Sequence, residues 1–240
     1  MSLPLIPLFL IHCDNCKTVQ LRDTVKPEFL FRKYIWVTGT SSTANSYSTF
    51  FCAEALKRLA CKQPFVVEVA SNDGTFLKRF KDKGLKVLGV DPAKNIAQMA
   101  NDRGIPTLAE FFNKQIATTI VNENGQADFV YARNVIPHVE NIHDITSGMA
   151  HCVKDGGLAI IEFHYAENII TGLQYDSIYH EHLFYFSLQS ICFLLESHGL
   201  WPFDFNVSPI SGGSIALYCT KIKRSRSTQL EKKLQEEKNY

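Results

Sequence analysis

From residue 64 onward, short apolar runs alternate with amphipathic segments, and this alternation constrains the fold more than any other feature of the chain. The strand-like runs lie at 65–70, 85–91, 127–134 and 157–164. The helical patterns between them lie at about 75–83, 94–103, 111–121 and 140–154. Strands that alternate with helices predict a parallel sheet covered by helices on both faces. The near-continuous Val, Ile and Leu of these strands agrees with burial on both sides.

The pattern changes after residue 186. A helix is predicted at about 188–198, ending at Gly199, which is a suitable left-handed cap. Two alternating strands follow at about 203–208 and 214–220, with the turn-forming "SPISGG" between them. We therefore expect a reverse hairpin at the end of the parallel sheet. The charged tail from Lys221 has a helical pattern and is expected to be a solvated helix or a linker.

The first sixty residues lie outside that alternation. We predict a small appendage at 1–45, a main domain at 46–222 and the charged tail at 223–240. The apolar run Leu3–Ile11 lacks a basic leader, contains two prolines and has half the length of a membrane helix, so it is interpreted as a strand. With 20% charged residues and a net charge of +1, the chain gives no indication of a nucleic-acid or membrane partner. We expect a cytoplasmic protein.

The segment "VVEVASNDGTFLKRF" predicts a strand, a tight loop and a helix start, a geometry that presents backbone N–H groups to a ligand. It is not a dinucleotide fingerprint, because it has one glycine, and Glu68 and Asp73 would repel a pyrophosphate but attract a cation. The second strand ends in Asp91, where a carboxylate can take both ribose hydroxyls of an adenosine. Adenosine joined to a cationic amino acid is S-adenosylmethionine. The alternative is that these are loop acids and a helix cap.

The most unusual segment is "YDSIYHEHLFYFS" at 175–187, with two histidines, a glutamate and several tyrosines. If 178–183 is extended, His180 and His182 share one face and Tyr179 and Glu181 share the other, because side chains alternate in a strand. One set could then line a pocket while the other orients the segment.

Five strings together resemble one known family: "EVASNDGTFL", "GVDPAKNIAQMANDRGIPT", "RNVIPHVENIHDI", "YDSIYHEHLFYFS" and "GGSIALY". They are similar to the S-adenosylmethionine-dependent sugar C-methyltransferases, which methylate nucleotide-linked 4-keto-6-deoxy sugars. The resemblance covers about residues 5–220. It implies an α/β fold of the Rossmann-like class I methyltransferase type, with a mostly parallel seven-stranded sheet, a terminal antiparallel hairpin and a small N-terminal appendage.

The resemblance also implies site residues, position by position. The cofactor residues would be Glu68, Ser71, Asn72, Asp73, Gly74, Asp91, Pro92, Glu110, Phe111, Asn134 and His138. The catalytic residues would be Tyr179, His180, Glu181 and His182, with His182 as the base. The alternative for Glu181 is that it only holds a histidine in orientation. Carbon methylation would explain this combination of residues, because a carbon next to a ketone must lose a proton before it can attack a methyl group. That step needs a base poised near pH 7 and donors to the enolate oxygen.

The chain also departs from the family. Members begin with a zinc module of four cysteines in two pairs, whereas this chain has only Cys13 and Cys16 at that spacing. The missing pair would lie before residue 1, and bound zinc is not expected unless His12 or another chain contributes, since structural zinc takes four ligands. Members usually continue past "GGSI" into another α/β domain. We therefore expect a chain shortened at both ends relative to the family.

Two other functions stay open at this point. The first keeps the fold but methylates oxygen or nitrogen of a small metabolite, and the second is a non-catalytic nucleotide-binding module. Tyr34 and Trp36 could form a lid over a sugar or a packed hinge to the appendage.

Overall fold

The computed structural model describes residues 5–238 and contains two sheets. In chain order, the strands of this part are β1 Leu10–His12, β2 Val19–Leu21, β3 Phe65–Val69, β4 Lys86–Val90, β5 Thr107–Leu108, β6 Ala127–Arg133, β7 Val153–His164, β8 Phe184–Tyr185, β9 Trp201–Ser208 and β10 Ser214–Thr220. The α-helices are α1 Pro27–Phe31, α2 Ser42–Arg58, α3 Thr75–Lys81, α4 Lys94–Asp102, α5 Lys114–Asn124, α6 Ile142–Cys152, α7 Ala166–Thr171, α8 Leu188–Ser197 and α9 Thr228–Glu237. Within residues 5–238, no helix has the length and apolarity needed to cross a bilayer.

The main sheet has seven strands in the order β5-β4-β3-β6-β7-β10-β9. The strands from β5 to β7 are parallel, and β10 runs antiparallel to both β7 and β9. The predicted fold class, a mostly parallel seven-stranded sheet with a terminal antiparallel hairpin, is confirmed. The chain leaves β3 toward β4 and β5 on one side and returns to β6 and β7 on the other. This reversal opens a crevice beyond the carboxyl ends of β3 and β6.

Alternate residues of the central strands feed two apolar cores. Val67, Val130 and Ile161 face a core closed by α5, α6, α8 and α9. Their chain neighbours, such as Val66 and Phe129, face the opposite core, which α2 and α3 close. Both faces of the sheet are therefore buried, as the continuous apolar runs predicted.

The appendage is tied to the "YDSIYHEHLFYFS" segment. In a second, antiparallel sheet, β2 pairs with both β1 and β8, and Val19 lies opposite Tyr185. The predicted strand 3–11 is confirmed only at its end, where β1 begins at Leu10, and residues 3–4 lie outside the described part of the chain. The boundary predicted between residues 45 and 46 falls inside α2, whose cap is Ser41. The division into domains stays a prediction.

The charged tail is helical, but it is packed rather than solvated. Leu230 and Leu234 of α9 are buried in the core. The carboxylate of Glu237 accepts hydrogen bonds from the backbone N–H groups of Leu188 and Gln189, at 2.7 and 2.9 Å. These are the first N–H groups of α8, which begins directly after the "YDSIYHEHLFYFS" segment. The tail therefore stabilises the end of that segment by capping the next helix.

Glu237→Ala is expected to lower the free energy of unfolding by about 1–2 kcal/mol, because two partly buried N–H groups lose their acceptor. Urea denaturation followed by circular dichroism measures the change. Glu236→Ala is the matched control, since Glu236 makes only a long pair with Lys232 and one with Lys233. We expect it to change stability by less than about 0.5 kcal/mol. Equal losses in the two variants would contradict the capping role.

Candidate active site

A cavity of about 1180 Å³ lies at the carboxyl ends of the parallel strands. Each of the four central strands contributes residues that end it or follow it. They are Val69 and Asn72 from β3, Asp91 and Pro92 from β4, Arg133 and Asn134 from β6, and His164 from β7. The site therefore forms where the reversal of strand order opens the sheet.

The loop after β3 is held by hydrogen bonds of Asn72. Its backbone N–H donates to Asp91 Oδ2 at 2.8 Å, and its φ angle is +50°. Its side chain accepts from the Thr38 N–H at 2.8 Å and donates to the Trp36 carbonyl at 3.0 Å. Asn72 thus joins the loop, the end of β4 and the appendage at the cavity wall.

Asp91 is a buried carboxylate that lines the cavity, as does Pro92. Its Oδ2 accepts the N–H of Asn72, and its Oδ1 accepts the N–H of Ala93 at 2.9 Å. Burial raises the pKa of Asp91 above its usual value. Each carboxylate oxygen has two lone pairs, so the group retains capacity to accept hydrogen bonds from a bound ligand.

The carboxylates of the two acids that flank the loop are buried and lie beside arginines. Glu68 is fully buried, where Tyr131 donates to it at 2.9 Å and the Arg133 guanidinium lies 3.3 Å away. Burial raises the pKa of Glu68 to about 8. The Asp73 carboxylate forms an ion pair with Arg103 at 2.5 Å. Neither acid is in the cavity wall, so the structure does not bear out our expectation that both attract a cationic ligand directly.

Other predicted cofactor residues divide between the cavity wall, the protein surface and the interior. Phe111 lines the cavity, and the Arg32 guanidinium lies 4.5 Å from the centre of its ring. Glu110 is exposed and is not brought to the cavity. Ser71 and Gly74 lie behind the wall, where Gly74 has a φ of +75° and starts α3.

At the end of β6, the predicted cofactor residues Asn134 and His138 both line the cavity. Asn134 has a φ of +48°, a conformation that asparagine tolerates better than most residues. Its amide donates to the buried carboxylate of Glu162 at 3.1 Å, and its carbonyl accepts from the Ser214 hydroxyl at 3.3 Å. These bonds hold the backbone that leads to His138.

The segment 178–183 is not extended, so the condition for alternating side chains is not met. The His182 N–H donates to the Tyr179 carbonyl at 2.9 Å, which closes a turn, so side chains do not alternate. Tyr179, Glu181 and His182 line the cavity, whereas the His180 ring is bound to the Ile6 carbonyl at 3.1 Å. The turn thus separates the two histidines that alternation would have put on one face.

His182 is only 7% exposed, and its two ring nitrogens have different partners. Nδ1 lies 2.7 Å from the Ser177 carbonyl, which can only accept, so Nδ1 carries the proton. Nε2 therefore has the lone pair, and it accepts from the Tyr179 hydroxyl at 3.2 Å. Burial lowers the pKa of His182, so the ring is neutral near pH 7. A neutral imidazole with this tautomer can act as a base through Nε2.

Two further imidazoles pack against the His182 ring. The centroid of His138 lies 4.7 Å away and that of His164 lies 5.0 Å away. His164 was not predicted from the sequence. It ends β7 as Arg133 ends β6, so the rule that places ligands at the carboxyl ends of parallel strands could have found it.

The appendage reaches the cavity through residues 34–38. The Tyr34 N–H donates to Asn95 at 3.2 Å, and the Asn95 amide donates back to the Tyr34 carbonyl at 2.8 Å. The side chains of Tyr34 and Trp36 line the cavity, and Trp36 is 55% exposed. This segment is therefore part of the cavity wall, as the lid interpretation requires.

Cys13 and Cys16 lie at the turn between β1 and β2. Hydrogen bonds from the backbone of Cys16 and Asn15 lower the pKa of the Cys13 thiol. Within residues 5–238, no group of three or more His, Cys, Asp or Glu side chains is arranged to hold a metal. The part that Cys13 and Cys16 would play in a zinc module therefore stays a prediction.

Comparison with known proteins agrees with this architecture. A family model described as a methyltransferase domain matches residues 46–201. The chain belongs to this methyltransferase domain family. It is 34% identical over 215 residues to the C-methyltransferase NovU of Streptomyces niveus. The match covers 89% of this chain and 51% of NovU, so the chain spans about half the length of that relative.

Solved structures of methyltransferase domains share the fold. The magnesium protoporphyrin IX methyltransferase of Synechocystis, solved with bound S-adenosylmethionine, aligns with a TM-score of 0.55 and 13% identity over 76% of this chain and 79% of its own. A S-adenosylmethionine-dependent methyltransferase of Thermotoga maritima aligns with a TM-score of 0.53 and 18% identity, covering 74% and 91%. Family, relative and fold agree on a methyltransferase domain.

Proposed function

We propose that this methyltransferase domain binds S-adenosylmethionine and methylates carbon C3 of a nucleotide-linked 4-keto-6-deoxy sugar. The observation that carries the proposal is His182. It is buried, neutral and anchored through Nδ1, and its basic nitrogen is held at the cavity by a hydroxyl group. Transfer to a carbon next to a ketone requires such a base, because that carbon must lose a proton before it can attack the methyl group.

The cavity wall suits the proposed cofactor. Asp91 would take the ribose hydroxyls, and Pro92 and Phe111 would contact the adenine. When bound, S-adenosylmethionine supplies a methyl group on a positively charged sulfur, which keeps the electron pair of the broken bond. At about 1180 Å³ the cavity exceeds the 300–1,000 Å³ that single ligands commonly occupy, so it has room for part of a second molecule.

The residues of the chain then act on the proton. His182 Nε2 takes a proton from the carbon next to the ketone, and the electron pair of that C–H bond delocalises onto the oxygen as an enolate. The Tyr179 hydroxyl, which donates to Nε2 beforehand, must turn away as that nitrogen takes up the proton. The carbonyl re-forms when the carbon attacks the methyl group.

The other members of the string have supporting roles in this proposal. Glu181 lines the cavity, and burial raises the pKa of its carboxyl above the usual value. His180 does not line the cavity and is a positioning residue, because its ring bonds to the Ile6 carbonyl and so holds the turn that carries His182. The named activity of NovU and the family resemblance support carbon as the methyl acceptor.

The methylated product tests the proposal. The full chain is incubated with labelled S-adenosylmethionine and with thymidine- or uridine-diphosphate 4-keto-6-deoxyglucose, and the product is examined by carbon NMR. We expect the label in a methyl group bonded to carbon. A methyl ether or a methylamine as the product would overturn the proposal in favour of oxygen or nitrogen transfer.

The pH dependence of substrate C–H exchange is a second test. A base must be unprotonated, and burial lowers the pKa of His182 from the ordinary 6.5. In D₂O, with S-adenosylhomocysteine bound, exchange is therefore expected to rise with pH through a midpoint below 6.5 and then level off. Binding of S-adenosylhomocysteine across the same range controls for unfolding. A midpoint above 7 would contradict the protonation state assigned to His182.

A further inference from the structure

His164 is the last residue of β7, and it lines the same cavity as the proposed base. Its ring is perpendicular to that of His182, at 90°, with the centroids 5.0 Å apart. The His138 ring also packs against His182, at 4.7 Å. His182 therefore packs against two imidazoles, one at the end of β7 and one in the turn after β6.

The nitrogens of His164 have no assigned role within the protein. None of the hydrogen bonds within residues 5–238 involves its ring, and Nε2 is shielded from solvent without a partner. His138 Nδ1 is in the same condition. A buried polar atom without a partner costs about 1–3 kcal/mol, so such atoms in native proteins need an explanation. Two of them beside one base indicate that their partner is a ligand.

The ring of His164 is uncharged near pH 7 and can donate a hydrogen bond. Burial, reinforced by the nearby His182, lowers the pKa of His164 to about 4. The neutral ring carries one N–H, and since neither nitrogen is bonded within the described residues, a ligand can determine which nitrogen holds it. A neutral imidazole can polarise a carbonyl group without competing for the proton that the base removes.

Few other donors are available near the base. Before the proton moves, the Tyr179 hydroxyl is bonded to His182 Nε2, and the Arg133 guanidinium is paired with Glu68. The cavity-lining carboxyl of Glu181 would repel an oxyanion if ionised. The uncharged N–H of His164, at the end of β7, can stabilise a negative oxygen that forms next to His182.

We propose that His164 is a further catalytic residue, which donates a hydrogen bond to the keto oxygen of the substrate as that oxygen becomes negative. The inference rests on the proposed function. In this step the C–H bond breaks, the proton moves to His182 Nε2 and the electron pair moves toward the oxygen. The N–H of His164 stays on its nitrogen and stabilises the enolate.

The test distinguishes hydrogen bonding by the His164 nitrogens from packing of the His164 ring. His164→Phe keeps a ring beside His182 but has no donor, whereas His164→Gln places an amide N–H near the position of Nε2. Exchange of the substrate C–H in D₂O is measured with S-adenosylhomocysteine bound, using thymidine- and uridine-diphosphate 4-keto-6-deoxyglucose as probes. His143→Phe is the control, because His143 is bonded to His198 outside the cavity.

We expect His164→Phe to slow exchange by about 10²–10³-fold, the usual effect of removing one oxyanion donor. His164→Gln is expected to stay within about tenfold of the wild type, and all variants to bind S-adenosylhomocysteine as the wild type does. If the Phe variant does not fold, His164→Leu replaces it.

Wild-type exchange in the Phe variant would overturn the inference. Equal losses in the Phe and Gln variants, with binding retained, would also overturn it, because the ring would then serve only packing. If the wild type itself exchanges neither probe, the proposed function fails and the inference fails with it.

Discussion

Replacing His182 by alanine is expected to slow exchange of the substrate C–H with solvent by about 10²–10⁴-fold, the range that a general base contributes. Methyl transfer should fall by a similar factor, since the carbon cannot attack before it loses its proton. Binding of S-adenosylhomocysteine should stay within about threefold, a change below about 0.7 kcal/mol, because the proposed cofactor residues Asp91 and Asn72 line the cavity independently of His182.

A second variant distinguishes the basicity of the His182 ring from its hydrogen bond to the Ser177 carbonyl. The side-chain amide of His182→Asn can still donate to the Ser177 carbonyl, the bond that His182 Nδ1 makes at 2.7 Å, but it has no basic nitrogen. We expect it to lose exchange as completely as the alanine variant while melting closer to the wild type. Exchange at the wild-type rate in the asparagine variant would mean that another group removes the proton. His143→Ala controls for loss of a histidine elsewhere.

The main sheet could be predicted because its signal is local. Four parallel strands were predicted within a few residues of their observed ends, apart from the start of β7 at Val153. Continuous apolar runs and the intervening helical periods belong to single elements and need no knowledge of their partners. Asp91 and Asn134 could be placed at the site for the same reason, since each directly follows such a strand.

The features that were missed depend on contacts between distant segments. β8 has two residues and exists because β2 pairs with it, so no period can reveal it. Glu68 and Asp73 have carboxylates like that of Asp91, and only the folded chain shows that arginines 65 and 30 positions away already pair with them. The packing of α9 is a further case, because a polar helical pattern does not show which leucines another helix will cover.

The turn at 179–182 shows how one hydrogen bond changes the meaning of a motif. Read as a strand, "YHEH" puts both histidines on one face. In the structure the turn sends His182 to the cavity and His180 to the appendage. The motif therefore combines a proposed base with an anchor, and the appendage that receives the anchor also forms part of the cavity wall through Tyr34.

Asp91→Asn is expected to weaken binding of S-adenosylhomocysteine by about 100-fold or more. Hydrogen bonds to a charged group contribute about 1.5–3 kcal/mol each, and the variant loses the charge that would bind two ribose hydroxyls. Each oxygen of Asp91 accepts one backbone N–H, from Asn72 or from Ala93. In the variant an NH₂ group replaces one oxygen and cannot accept, so one of these two hydrogen bonds is lost. Calorimetry with S-adenosylhomocysteine measures the affinity directly.

Asp102→Asn is the matched control, because Asp102 is an exposed acid that bonds only to Gln98 one turn earlier on α4. It should bind S-adenosylhomocysteine as the wild type does. If Asp91→Asn keeps its affinity within about threefold and still melts cooperatively, Asp91 is a structural cap of the β3 loop and not a ribose ligand. A large loss confined to Asp91→Asn would place the adenosine at the end of β4, so the methyl group would have to lie toward β6 and β7, where His182 and His164 line the cavity.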